Sequence, residues 1–265
     1  MSLDDLNYFD FVSEPFVAAH LSPKYVLMYD KLGFEKKKNE FVFFGIEHFS
    51  SYLETAIKIR LMALTDDNVK VLRIRGFKLQ PNKTKSPFLH ITNTFFDLKG
   101  KKFESLRRRI NRYKHKNIEI KEKPNSFEEF ESFLKRWKEL RKHAHYQIYI
   151  GYDKNFITNF ISMWSDILIP RFFYLDGILV GFSICEKVKD GCYNLLFHKC
   201  DTSLDGFCAY MDYKMFEIIR EAEHGEFVIN MGSDSGEKGM YRYKTETFHV
   251  DQKIFTLKEA TIINK

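Results

Sequence analysis

The chain has 265 residues, 44% hydrophobic and 16% aromatic with 27 phenylalanines, a globular composition sized for one large domain or two intimate ones. No apolar run approaches the ~20 residues of a membrane span. The acidic start "MSLDDLNYFDF" lacks the basic flank and apolar core of a secretory signal, so a cytoplasmic protein is expected. The net charge of +6 is uneven: residues 99–123 carry eleven Lys/Arg against three Glu, leaving a small acidic excess elsewhere. Four cysteines, Cys185, Cys192, Cys200 and Cys208, lie seven or eight residues apart, which fits neither a CxxC zinc site nor a dense disulfide framework. Reduced thiols and no metal are expected.

In chain order, "FVFFGI" (41–46) and "VKVLRIRGF" (69–77) predict strands, and the apolar spacing of "FSSYLETAIKIRLMAL" (49–64) predicts a helix between them. "FLHITNTFFDL" (88–98), rich in Phe, Ile and Thr, reads as a strand. A basic helix follows at 103–116 with Leu106, Ile110 and Tyr113 inward, then a strand at 117–123. Ser126 and Glu129 form a capping-box pattern opening a helix whose apolar face includes Phe130, Phe133, Leu134 and Trp137. Another helix is expected at 155–168.

The last hundred residues read as strands 171–175, 178–187 and 191–199 joined by Asp176-Gly177 and Asp190-Gly191 turns. A helix at 207–224, the strand "EFVIN", a short helix within "GEKGMYRYKTETF" and the strand "VDQKIFTL" complete the order. An antiparallel meander followed by a crossover helix points that helix's first N–H groups beyond a strand end, a place to hold an anion. The pattern is a mixed sheet flanked by helices, of the α+β or mixed α/β class.

That order, with three stretches, resembles the GNAT fold, and within it the tandem-GNAT branch: Fem-type peptidoglycan aminoacyltransferases, the C-terminal region of phosphatidylglycerol lysyltransferases, and related acetyltransferases. "DGILVGFSICEK" (176–187) is similar to the family's glycine-hinged strand pair, and "ITNTFFDLKGKKFESLRRRINRYKHKNIEIKE" (91–122) to the segment joining its halves. "INMGSDSGEKGMYRYKTETF" (229–248) resembles its late strand, glycine and Y/F-K-x-x-F block, with one extra residue between Lys244 and Phe248. The resemblance covers the C-terminal two-thirds. It implies two fused halves: a degenerate one at 1–98, a basic connector at 99–124, and a catalytic one at 125–265. It implies transfer of an acyl or aminoacyl group from acyl-CoA (acetyl-CoA) or aminoacyl-tRNA to an amine acceptor. The family's glycine-rich pyrophosphate signature is reduced to "CDTSLDGFCA" with a single Gly206.

The candidate residues carry two readings each. Gly206 with the N–H groups of Phe207, Cys208 and Ala209 could bind donor phosphate, or form an ordinary helix start capped by Ser203 or Asp205. By resemblance, strand amides near Phe197 to Lys199 would hold the carbonyl and Lys244 would offset donor charge; otherwise Lys244 is a solvated cation. Tyr243 could protonate a leaving group or simply pack. Asp234 could take the amine proton or shape the turn "GSDSG". Asn230 could meet substrate or cap the loop. Strict alternation puts Asn194, Leu196, His198 and Cys200 on one strand face, with His198 a base or a satisfied rim residue. Arg107, Arg108, Arg109 and Arg112 form either a solvated face or a nucleic-acid-binding surface, which keeps open a nucleic-acid-binding protein without transferase activity.

Overall fold

A computed structural model of the chain describes residues 2–20, 33–37, 40–46, 49–54, 56, 58–77, 79–141 and 154–263. Its described strands are β1 (Gly33–Lys37), β2 (Glu40–Phe44), β3 (Lys58–Leu64), β4 (Leu79–Ile91), β5 (Ile118–Lys121), β6 (Leu168–Leu175), β7 (Ile178–Lys189), β8 (Cys192–Cys200), β9 (Phe227–Asn230) and β10 (Gln252–Ile263). The α-helices are α1 (Glu14–Ala19), α2 (Asp66–Ile74), α3 (Glu104–Lys114), α4 (Phe127–Leu140), α5 (Lys154–Met163), α6 (Phe207–Glu223) and α7 (Lys238–Glu246). All ten strands form one mixed sheet in the order β1-β2-β3-β10-β4-β9-β8-β7-β6-β5.

The sheet contains one pattern twice. In the first half β1–β2 is antiparallel, β2–β3 parallel and β3–β10 antiparallel. In the second, β7–β8 is antiparallel, β8–β9 parallel and β9–β4 antiparallel. Each half is closed by a strand from the opposite end of the chain, and β4 and β10 pair antiparallel at the join, from Gln252↔Leu89 to Ala260↔Leu79. This is the expected pair of fused GNAT-type halves. The boundary drawn at residue 98 divides the chain but not the sheet.

Two expectations in the first half fail. Residues 49–64 are not one helix: a 3₁₀ turn at Phe49–Tyr52 precedes β3, where Ile59 and Leu61 are buried and Arg60 and Met62 only partly so. The alternation belongs to a strand paired on both sides. Residues 69–77 are largely helix, not strand. Thr65 caps α2, its hydroxyl accepting from Asn68 N–H while the Asn68 side chain takes Thr65 N–H, and only Val69 and Leu72 are buried. The strand expected at 88–98 ends at Ile91 and continues as a 3₁₀ turn, and the helix expected at 155–168 ends at Met163.

The C-terminal order is as expected. Ser126 caps α4 by accepting from Glu129 N–H, and Phe130, Phe133, Leu134 and Trp137 are buried. They pack with α5 residues Ile157 and Phe160 on one sheet face, against Phe172, Phe182 and Phe197. Helices α3 and α6 cover the opposite face through Leu106, Ile110, Phe207, Met211, Met215 and Ile219. Full burial of each large side chain contributes about 1.5–3 kcal/mol. Close approach of α6 requires Gly181: a Cβ there would meet Met211 Sδ at 2.5 Å and the Lys199 carbonyl at 3.0 Å.

Candidate functional site

Strands β8 and β9 pair only over Cys192–Asn194 and Val228–Asn230. There β9 ends, while β8 runs on to Cys200 along β7. The register between β7 and β8 shifts at Leu196, which stands opposite no residue between the pairs Cys185↔Leu195 and Ile184↔Phe197. This bulge overturns strict alternation along β8. Asn194 and Leu196 lie on the α1 side, but His198 and Cys200 turn to the α6 side. Phe197 and Lys199 face α4 and α5; Lys199 Nζ sits 4.1 Å over the Trp137 ring, its pKa lowered to about 8 by burial and by Arg141.

On the α1 side, polar groups join four adjacent strands. The Ser13 hydroxyl donates to Glu186 Oε1, and Asn194 Nδ2 donates to Glu186 Oε2 (2.9 Å) and the Phe11 carbonyl (2.8 Å). Asn230 Nδ2 donates to Asn194 Oδ1 (3.0 Å), and Asn230 Oδ1 accepts from the Ser86 hydroxyl (2.8 Å) and Gly232 N–H (2.9 Å). Asn194 and Asn230 are fully buried. Burial pushes the Glu186 carboxyl up, opposed by Asn194 and Ser13. Asn230 therefore caps the loop and joins the strands. Its bonds fix where β9 stops.

Helix α6 starts at Gly206, in the left-handed region at φ 78°, with no side-chain cap. A Cβ on Gly206 would meet Arg109 Cγ at 2.9 Å, so α3 lies directly against the start of α6. Neither expected cap is used: Ser203 turns back to Asp201 Oδ1, and Asp205 pairs with Arg112. Arg112 Nη1 and Tyr113 Oη also donate to the Asp205 carbonyl, each at 2.9 Å. The Arg112 guanidinium, helped by Arg109 and Arg108, lowers the Asp205 pKa. Arg107 is spent on the carbonyls of Leu98 and Gly100. Thus the basic helix and the helix start, found separately in the sequence, pack against one another. Phe207 and Ala209 are buried, and Cys208 faces His198.

Beyond this contact lies a cluster of ionisable side chains. His198 Nε2 is 3.0 Å from Cys208 Sγ, and its Nδ1 is 3.1 Å from Asp212 Oδ1. That second approach is outside hydrogen-bonding geometry, leaving both buried atoms without a hydrogen-bond partner. The Tyr243 hydroxyl donates to Asp212 Oδ2. Burial alone would lower the His198 pKa, but Asp212 and Cys208 reverse this and push it up to about 9. Burial pushes Asp212 upward, opposed by His198, Tyr243 and Lys244. Asp212 was not singled out from the sequence, although an acid four residues after Cys208 on an inward helical face is a readable signal.

Lys244 is no solvated cation. Its ammonium donates to the carbonyls of Met231 (2.6 Å), Gly232 (3.0 Å) and Ser233 (2.8 Å), which uses its three N–H bonds. Burial lowers its pKa to about 8, against the opposing effect of Asp212 and Asp234. Asp234 Oδ1 accepts from Lys85 N–H and Gly236 N–H, both 2.9 Å, so this carboxylate shapes the turn. Together Lys244 and Asp234 fix the course of the chain after β9.

The model of the family described as "Phosphatidylglycerol lysyltransferase, C-terminal" matches residues 46–250, reaching further into the first half than the sequence motifs did. Among solved structures, the C-terminal domain of a putative lysylphosphatidylglycerol synthetase from Agrobacterium fabrum has a TM-score of 0.60 at 11% identity, over 95% of this chain and 88% of that one. L-PGS from Bacillus licheniformis has a TM-score of 0.59 at 13% identity, over 85% and 78%. FemX has a TM-score of 0.53 at 13% identity, over 80% and 73%. No curated protein matches. These structures share the fold, and the family match spans most of the chain: the protein belongs to the phosphatidylglycerol lysyltransferase C-terminal family, with its transferase-type GNAT fold.

Proposed function

We propose that the protein transfers an aminoacyl group from aminoacyl-tRNA to an amine-bearing acceptor. The observation that carries this reading is the contact of basic helix α3 with the uncapped start of α6. A helix N-terminus favours phosphate, and Arg108 and Arg109 extend the positive field along a polynucleotide backbone. Amides of β8 from Phe197 to Lys199, beyond the bulge, hold the ester carbonyl and stabilise the developing oxyanion. The acceptor nitrogen attacks that carbon, forming the C–N bond as the ester C–O bond breaks. Tyr243, turning its phenolic hydrogen from Asp212 to the departing oxygen, gives up that proton and regains one from solvent. The amine's proton passes to solvent. Lys244 and Asp234 hold the loop after β9 in a fixed course beside this site. Among the described residues no helix is long and apolar enough to cross a membrane.

The experiment measures deacylation of a pool of aminoacyl-tRNAs with amine acceptors, and with phosphatidylglycerol vesicles as a hydroxyl-bearing comparison. Expected are amine-dependent turnover, tRNA binding that weakens steeply with salt, and loss of that binding in the Arg108→Glu/Arg109→Glu variant. Binding of acetyl-CoA with no response to aminoacyl-tRNA would overturn the aminoacyl reading in favour of an acyl-CoA transferase. Lipid-only turnover would overturn the amine acceptor.

A further inference from the structure

The side-chain cluster at the β8–α6 junction has a composition that acyl transfer does not require. His198, Cys200 and Cys208 place their ligand atoms, one nitrogen and two sulfurs, within 4.8 Å of one another. The bulge at Leu196 puts His198 and Cys200 on the α6 side of β8. The connection through Gly206 then folds the second residue of α6, Cys208, back over them. Cys200 is buried, whereas His198 and Cys208 are half-buried.

We propose that His198 Nε2, Cys200 Sγ and Cys208 Sγ bind a zinc ion. Two thiolates and an imidazole are a borderline-to-soft donor set, suited to Zn²⁺ and foreign to Mg²⁺ or Ca²⁺. Three protein ligands leave the fourth tetrahedral position open. The surrounding groups support the assignment. A metal-bound imidazole usually gives its other N–H to a carboxylate, and Asp212 Oδ1 stands 3.1 Å from His198 Nδ1, held from behind by Tyr243. That pair lacks hydrogen-bonding geometry without the ion, and fixing Nε2 on zinc leaves only a small ring rotation to complete it. With ligands at about 2.0–2.3 Å from the ion, the 3.0 Å separation of Nε2 and Cys208 Sγ opens by a few tenths of an ångström. Binding exchanges the ion for the two thiol protons and the proton on Nε2, which pass to solvent. The ion would tie the first turn of α6 to β8 at the same edge proposed to hold the donor.

The test needs no donor or acceptor, so it stands or fails apart from the transfer reading. The chelator-stripped, reduced protein is titrated with Co²⁺ and back-titrated with Zn²⁺. Expected are a thiolate-to-cobalt charge-transfer band and tetrahedral visible bands that saturate at one ion per chain and vanish as Zn²⁺ displaces Co²⁺. Cys208→Ser and Cys200→Ser should abolish or strongly shift the band, while Cys185→Ser, a thiol on β7 outside the cluster, should leave it intact. Asp212→Asn retains every ligand and should weaken Zn²⁺ about 10–100-fold. Absence of a thiolate–cobalt band in the wild-type protein would overturn the site outright, independent of whether any variant folds. An unchanged band in both Cys208→Ser and Cys200→Ser would do the same.

Discussion

The two halves of the sheet share a strand pattern and differ in what crosses from one parallel strand to the next. Between β8 and β9 stands the 17-residue α6, whereas the described residues between β2 and β3 include only a 3₁₀ turn at Phe49–Tyr52. The described core of the first half near β3 and α2 is apolar: Phe43, Phe49, Ile59, Leu61, Leu72 and Ile262. The second half carries buried Glu186, Asn194, Asp212, Asn230 and Asp234. Of these only Asp212 lies on α6, while Glu186, Asn194 and Asn230 join the strands on the opposite, α1 side.

Polar substitutions should expose that difference most strongly. Asn194→Leu leaves Glu186, Asn230 and the Phe11 carbonyl short of partners and should cost about 2–4 kcal/mol. The packing counterpart in the first half, Ile59→Val, should cost only about 0.5–1.5 kcal/mol. Urea denaturation of both variants checks the ordering, and equal losses would erase the contrast. Next in size, Gly206→Ala forces a side chain into the left-handed region and against Arg109, at about 1–2 kcal/mol. It should weaken tRNA binding at least tenfold, measured by salt-matched filter retention. The smallest effect belongs to Arg60→Ala, which removes a 2.6 Å surface pair with Glu259 joining β3 to β10. Stability should fall by no more than about 1 kcal/mol, with transfer activity unchanged.

Much of the second half was legible because its strands are bounded by Asp-Gly turns and its helices carry long apolar stripes. The first half misled for a definite reason. "VKVLRIRGF" alternates like a strand, but its fate is set upstream by the Thr65–Asn68 cap, and Ile74, which completes the strand pattern, is 86% exposed. The candidate residues were readable as types, but which of them meet was not. No periodicity announces the Leu196 bulge, which separates His198 from Asn194. Nor does local pattern place Arg109 on Gly206, ninety-seven positions along the chain. Lys244 was singled out by resemblance. Its binding of three carbonyls follows from the close return of α7 onto the end of β9, which only the tertiary structure supplies.

The exchange of β4 and β10 also bears on how the protein is made. The first half is begun by the earliest strands yet lacks its closing strand until residues 252–263 have been synthesised. A ribosome-bound chain thus presents β3 with an unpaired edge for most of translation, an invitation to wrong pairing. The second half borrows β4, already made, and can assemble as soon as β9 emerges. Folding should therefore run against the order of synthesis, with the second half forming first and serving as the template on which β10 closes its older neighbour.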